Sequence, residues 1–139
     1  MSLEQLEDYE SEIEDKETEI EDVESELEEV NTRIDKIESA LAELSEDKEV
    51  MEKVEKNKEQ AELCKESAEG KIENLKRELE GINSELETMA EENEQSENVL
   101  SELASVSEDV SEAQQIVSER KNKISQYKNK VSSILNKLG

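Results

Sequence analysis

Proline, histidine, phenylalanine and tryptophan are absent from these 139 residues, and two tyrosines, three glycines and one cysteine are all the chain has of those types. Each shortage excludes something. Without His, and with a lone Cys, the chain lacks the usual general base, the partner of a nucleophile and a cysteine-rich metal set. No Gly stands in a GxGxxG or GxxxxGK arrangement, so no phosphate cradle is expected. Cys64 cannot form an internal disulfide, and it lies off the apolar seams described below, as an inert surface thiol would. No apolar run approaches the ~18 residues that cross a bilayer, so no membrane partner is expected. No basic start followed by an apolar stretch marks a cleaved signal peptide. A reducing cytoplasm is the expected compartment, and export by a pathway that reads folded helices is compatible with it.

What the chain has in abundance is charge. Asp and Glu number 41 against 17 Lys and Arg, a formal net charge of −24 with 42% of residues charged. Nucleic acid is therefore not an expected partner, because phosphate binding depends on Lys and Arg displacing counterions. The carboxylates lack the alternating ligands and central Gly of an EF-hand loop. Paired catalytic carboxylates also need a pocket to shift their pKa values, which a two-stranded coil does not offer. They read as a solvated helix face, with no catalytic residue, no cofactor and no metal site, and so no enzyme. A thick core is not expected either. Such a composition fits disorder or a long helix, and periodicity decides between them.

The periodicity is heptad. Leu6, Tyr9, Ile13, Lys16, Ile20, Val23, Leu27, Val30, Ile34, Ile37, Leu41 and Leu44 follow one another at alternating spacings of three and four. A second seam runs from Met51 and Val54 through Ala61, Ala68, Leu75, Leu79, Ile82, Leu86 and Met89, weakens at Asn93 and Ser96, and recovers at Leu100 and Leu103. A third runs from Val106 and Val110 through Val117, Ile124, Tyr127, Val131 and Ile134 to Leu138. The frame slips by three residues between Leu44 and Val54 and again between Leu103 and Val106. Insertions of three overwind a coil locally without ending it. The seams predict an all-α chain in coiled-coil packing. Lys16, Lys58, Lys65 and Arg120 occupy seam positions, where their stems can lie along the stripe while their heads reach water.

Gly70 lies at the midpoint, which predicts a single antiparallel helical hairpin over 1–139. Its arms are 3–67 and 72–138 and its turn is 68–71, formed by Ala68, Glu69 and Gly70. In that register Leu6 meets Ile134, Val23 meets Val117 and Val54 meets Leu86. A looser waist falls where 37–47 opposes 93–103. The register sets the acidic head against the basic tail, with Glu10 beside Lys128, Glu12 beside Lys130, Glu17 beside Lys121 and Glu19 beside Lys123. Exposed pairs contribute only ~0.3–0.5 kcal/mol each, so they select an orientation more than they stabilise. A three-helix bundle is the alternative, with turns near 44–49 and 92–98. Its first and third helices would run parallel, which would carry the basic tail away from the acidic head.

Among the apolar residues off the seams are Leu3 and Leu135, which meet at the open end of the hairpin, and Val99 and Ile116. Together they could widen the stripe enough to accept another helix, as in helix-in-groove recognition. They are the candidate partner contacts. The expected role is a non-catalytic helical protein that pairs with partner helices in a homo- or hetero-oligomer. The alternative is a self-sufficient coiled-coil spacer or homo-oligomeric scaffold.

The heptad opening MSLEQLEDYESEIEDKETEIEDVESEL, the Gly-containing midpoint and the closing VSEAQQIVSERKNKISQYKNKVSSILNKL resemble the small α-helical partner proteins of LXG-type toxins in Gram-positive bacteria. The resemblance implies binding to the helical N-terminal domain of a toxin and targeting of it to type VII secretion, as a chaperone or adaptor does. Related WXG-type proteins carry Trp-x-Gly at their turn. Here Ala68-Glu69-Gly70 keeps the Gly without the Trp.

Overall fold

The computed structural model describes residues 2–106 and 109–139. Among them are three α-helices and no strand: α1 Leu3–Glu43, α2 Lys48–Ser105 and α3 Ser111–Leu138. None is long and apolar enough to cross a membrane.

The first two helices start where a side chain satisfies amide groups that an initial turn leaves open. Ser2 and Gln5 form a capping box: Gln5 N donates to Ser2 Oγ at 3.1 Å and Ser2 N to Gln5 Oε1 at 2.9 Å. Asp47 caps α2 by accepting from Val50 N at 3.3 Å. Ahead of α3, Asp109 Oδ1 accepts from Ser111 N at 3.2 Å, and that bond holds its carboxyl below the usual range. The chain ends on Gly139, which has φ of 87° and donates its N–H to Asn136 O at 3.3 Å.

The turn expected at Ala68, Glu69 and Gly70 is not formed. All three lie inside α2, which runs unbroken for 58 residues. The single hairpin with arms 3–67 and 72–138 is thereby replaced by three helices. Gly in an exposed helix position costs only ~1 kcal/mol relative to Ala, too little to break a helix whose apolar seam continues on both sides. Reversal happens instead at Leu44–Asp47, as in the three-helix alternative, where Asp47 N donates to Leu44 O at 2.9 Å. The alternative's second turn, at 92–98, is also helical. α2 continues to Ser105, where Val106 N donates to Leu103 O at 3.2 Å. Both ends of α2 coincide with a three-residue slip of the heptad frame, so the slips mark chain reversals and not overwound coil.

The chain packs as two units, residues 18–75 and residues 1–17 with 76–139. In the first, α1 and α2 run antiparallel around Ile20, Val23, Ile34, Ala61, Ala68 and Leu75. Ion pairs Glu26–Lys71 at 4.0 Å and Glu38–Lys58 at 3.4 Å flank this core. In the second, the start of α1 lies with α2 and α3 around Leu6, Ile13, Leu79, Ile82, Leu86, Val117, Ile124, Tyr127, Val131 and Ile134. Asn93 is the buried polar member of this core.

Candidate functional site

The site lies in the unit of residues 1–17 and 76–139, and it follows from how α1 is held there. One edge of α1 faces α2. Tyr9 donates its hydroxyl to Glu85 Oε2 at 2.6 Å and Lys16 Nζ lies 2.7 Å from Glu78 Oε2, so seven residues forward on α1 are seven back on α2. The other edge faces α3. Lys123 bonds Glu7 at 3.0 Å and Lys130 bonds Glu14 at 3.2 Å, both pairs 116 residues apart, so α1 and α3 run parallel. Tyr127 O–H reaches Glu10 between them at 3.4 Å. The head and tail are thus opposite in charge and adjacent, but in a parallel register. The pairs expected at Glu10–Lys128, Glu12–Lys130, Glu17–Lys121 and Glu19–Lys123 give way to Glu7–Lys123 and Glu14–Lys130, while Lys121 bonds Glu97 at 3.7 Å. The basic tail stays beside the acidic head because α2 is longer than α1, 58 residues against 41, and returns α3 alongside the first turns of α1.

These contacts shift the groups that make them. Hydrogen bonding to the Glu85 carboxylate, then burial, pushes the Tyr9 phenol up to about 12. Burial raises that of Tyr127. The Lys123 ammonium is raised by its bond to Glu7.

Because α1 begins at Leu3, α2 and α3 continue past it as a pair. The edge of α2 that faces α1 steps by heptads from Glu78 to Glu85, then Glu92, then Val99. The facing edge of α3 steps back from Lys130 to Lys123, then Ile116. Past the start of α1 both edges turn from charged to apolar. Between them runs a groove of about 550 Å³ lined by Glu92, Ser96, Val99, Ala113, Ile116 and Arg120 among others. Val99 and Ile116 are 55% and 44% exposed, values that place two aliphatic side chains in water on one groove.

Of the four expected partner contacts, the structure brings these two together and separates the others. Leu3 and Leu135 are half-buried, and they do not meet. Level residues of α1 and α3 are 116 apart in sequence, which leaves Leu135 about four helical turns, or roughly 24 Å, beyond the level of Leu3. Sequence reasoning placed Asn93 at a waist opposite 37–47. It instead lies inside this unit at 2% exposure, donating Nδ2–H to Val117 O at 3.0 Å. Asn93 Oδ1 and Arg120 Nε are buried without hydrogen-bond partners, so a polar layer marks the level where α1 starts and the groove opens. Groove-lining Ala113 and Arg120 stand at heptad spacing from Tyr127, which contacts α1, and that spacing is the sequence signal that points to their place here.

Cys64 is exposed and unpaired. Among the described residues no group of three or more His, Cys, Asp or Glu is placed to hold a metal ion. Compared with protein-family models, curated proteins and solved structures, the chain matches none.

Proposed function

We propose that this chain is a non-catalytic helical interaction protein that binds by accepting a partner helix in coiled-coil fashion. The observation that carries the reading is the groove between α2 and α3. It prolongs the seat of α1, and its edges become apolar at Val99 and Ile116 where α1 no longer covers them. A chain so acidic has reason to keep exposed aliphatic residues apart unless something covers them. The helical N-terminal domain of a toxin exported by type VII secretion is the partner that the resemblance of the two chain ends brings forward, with this protein acting in the cytoplasm as its accessory factor. Gly70, the third element of that resemblance, stands within α2.

Affinity capture of the tagged chain from its native extract, beside the Val99→Glu/Ile116→Glu variant, tests the reading. A stoichiometric helical partner held by the parent and released by the variant supports it. Recovery of the chain alone as a discrete homo-oligomer, unchanged in the variant, overturns it in favour of a self-sufficient spacer or scaffold.

A further inference from the structure

We infer that the occupant of the groove beyond Leu3 is a basic amphipathic helix of another protein, seated over about two turns, with an apolar stripe flanked by Lys or Arg. This deepens the reading of the chain as a helix-pairing protein and rests on it. The length comes from the stretch over which α2 and α3 both line the groove, Glu92 to Leu100 on one side and Ala113 to Arg120 on the other, roughly 12 Å of helix. The apolar stripe follows from the lining, where Val99, Leu100, Ala113, Ile116 and Val117 continue the surface against which Leu6 and Ile13 of α1 pack.

The charge follows from the surroundings of the groove. Among the described residues from 92 to 120 the acidic side chains are Glu92, Glu94, Glu97, Glu102, Asp109, Glu112 and Glu119 against Arg120 as the one basic side chain; Glu92 and Arg120 line the groove itself, and Glu97 pairs with Lys121 outside it. In the covered stretch the rule is already in use: acidic α1 lies against Lys123 and Lys130 of α3. Past Leu3 the lysines of that edge are gone, so an acidic helix like α1 would meet repulsion while a cationic one would be attracted. The same argument opposes end-to-end pairing of two copies through this groove on molecules of formal charge −24 each, and the basic α3 of each copy is already seated against its own α1 through Glu7–Lys123 and Glu14–Lys130.

The test uses labelled helical peptides of three heptads with Leu and Ile at the seam positions, flanked by Lys in one and by Glu in the other. A scrambled version of the Lys peptide measures attraction by charge alone. Fluorescence anisotropy against the full chain is expected to give at least about ten-fold tighter binding of the Lys-flanked helix than of either other peptide. That binding should weaken as salt rises. Val99→Glu/Ile116→Glu should abolish the difference. Glu92→Lys/Glu112→Lys, at exposed positions, should invert the flank preference, with unchanged circular dichroism confirming that both variants fold. Equal binding of the Lys and scrambled peptides, binding indifferent to Val99→Glu/Ile116→Glu, or no binding of any peptide would overturn the inference. So would a concentration-dependent dimer, seen in ultracentrifugation, that Val99→Glu/Ile116→Glu removes. Capture of an acidic helical partner through Val99 and Ile116 would overturn this inference alone and leave the broader proposal standing.

Discussion

Lys123 Nζ lies 3.0 Å from Glu7 Oε1, and the pair recurs one heptad on as Lys130 and Glu14 at 3.2 Å. Two such contacts of equal sequence separation define a parallel register between the first and last helices. Double-mutant cycles with Gln are expected to return a coupling of ~0.3–0.5 kcal/mol for Glu7 with Lys123 and for Glu14 with Lys130, and none for Glu10 with Lys128. Coupling at Glu10 and Lys128 instead would restore the antiparallel hairpin register.

Gly70 and Gly81 are exposed within α2, and a Cβ built on either meets nothing within 4 Å. Replacing each by Ala should stabilise the protein by ~0.5–1 kcal/mol through the entropy of the unfolded chain, read as a higher urea midpoint at unchanged slope. A turn at Gly70 in left-handed backbone would make the same substitution destabilising.

Asn93 keeps one hydrogen bond and leaves Oδ1 unpaired in the core. Asn93→Leu is expected to raise stability by about 1 kcal/mol, since a buried polar atom without a partner costs about that much. A loss of stability in urea melts would mean that the Asn93 to Val117 bond outweighs the orphaned oxygen. A single polar residue at a seam position commonly sets register at the expense of stability, so the variant should also broaden amide signals if alternative packings appear.

Tyr9 and Tyr127 both hold their hydroxyl protons above the usual tyrosine value, Tyr9 to about 12. With folded values raised, their contribution is fully present below pH ~10, where the unfolded phenol begins to ionise. It is lost as pH climbs through the folded values. Phenolate absorbance should therefore lag behind that of the urea-unfolded chain. Glu85→Gln should bring the Tyr9 transition back toward the ordinary value without moving that of Tyr127, and a joint shift would place the cause elsewhere than the Tyr9 to Glu85 bond.

Tyr127 is 1% exposed and Leu6 and Ile13 are fully buried, so Tyr127→Ala should cost ~3–5 kcal/mol. Val99→Glu and Ile116→Glu should each change stability by less than ~0.5 kcal/mol, because their side chains already stand in water. A large loss from either would mean that the groove is part of the core.

Much of this was legible in the residues. Heptad spacing yields three seams, and each becomes a helix face: Leu6, Ile13 and Ile20 on α1, Leu75 to Leu86 on α2, Val117 to Ile134 on α3. The two frame slips were visible as well, but a three-residue slip is ambiguous between an overwound coil and a reversal. Asp47 as a cap, with Leu44 closing the turn, resolves the first. Gly70 misled because a midpoint Gly is a turn signal only where the backbone needs a left-handed residue.

Helix content, the seam residues and the attraction between an acidic head and a basic tail are local or compositional properties, carried by spacing and charge whatever the topology. Register is not. A seam packs equally well against an antiparallel or a parallel neighbour, and Glu and Lys at heptad spacing pair at any offset that matches their period. The lengths of α1 and α2 between their actual ends break that degeneracy: they put Glu7 beside Lys123, bury Asn93 and part Leu3 from Leu135. They also leave Val99 and Ile116 facing one groove, since α1 starts about four turns short of the far end of α2.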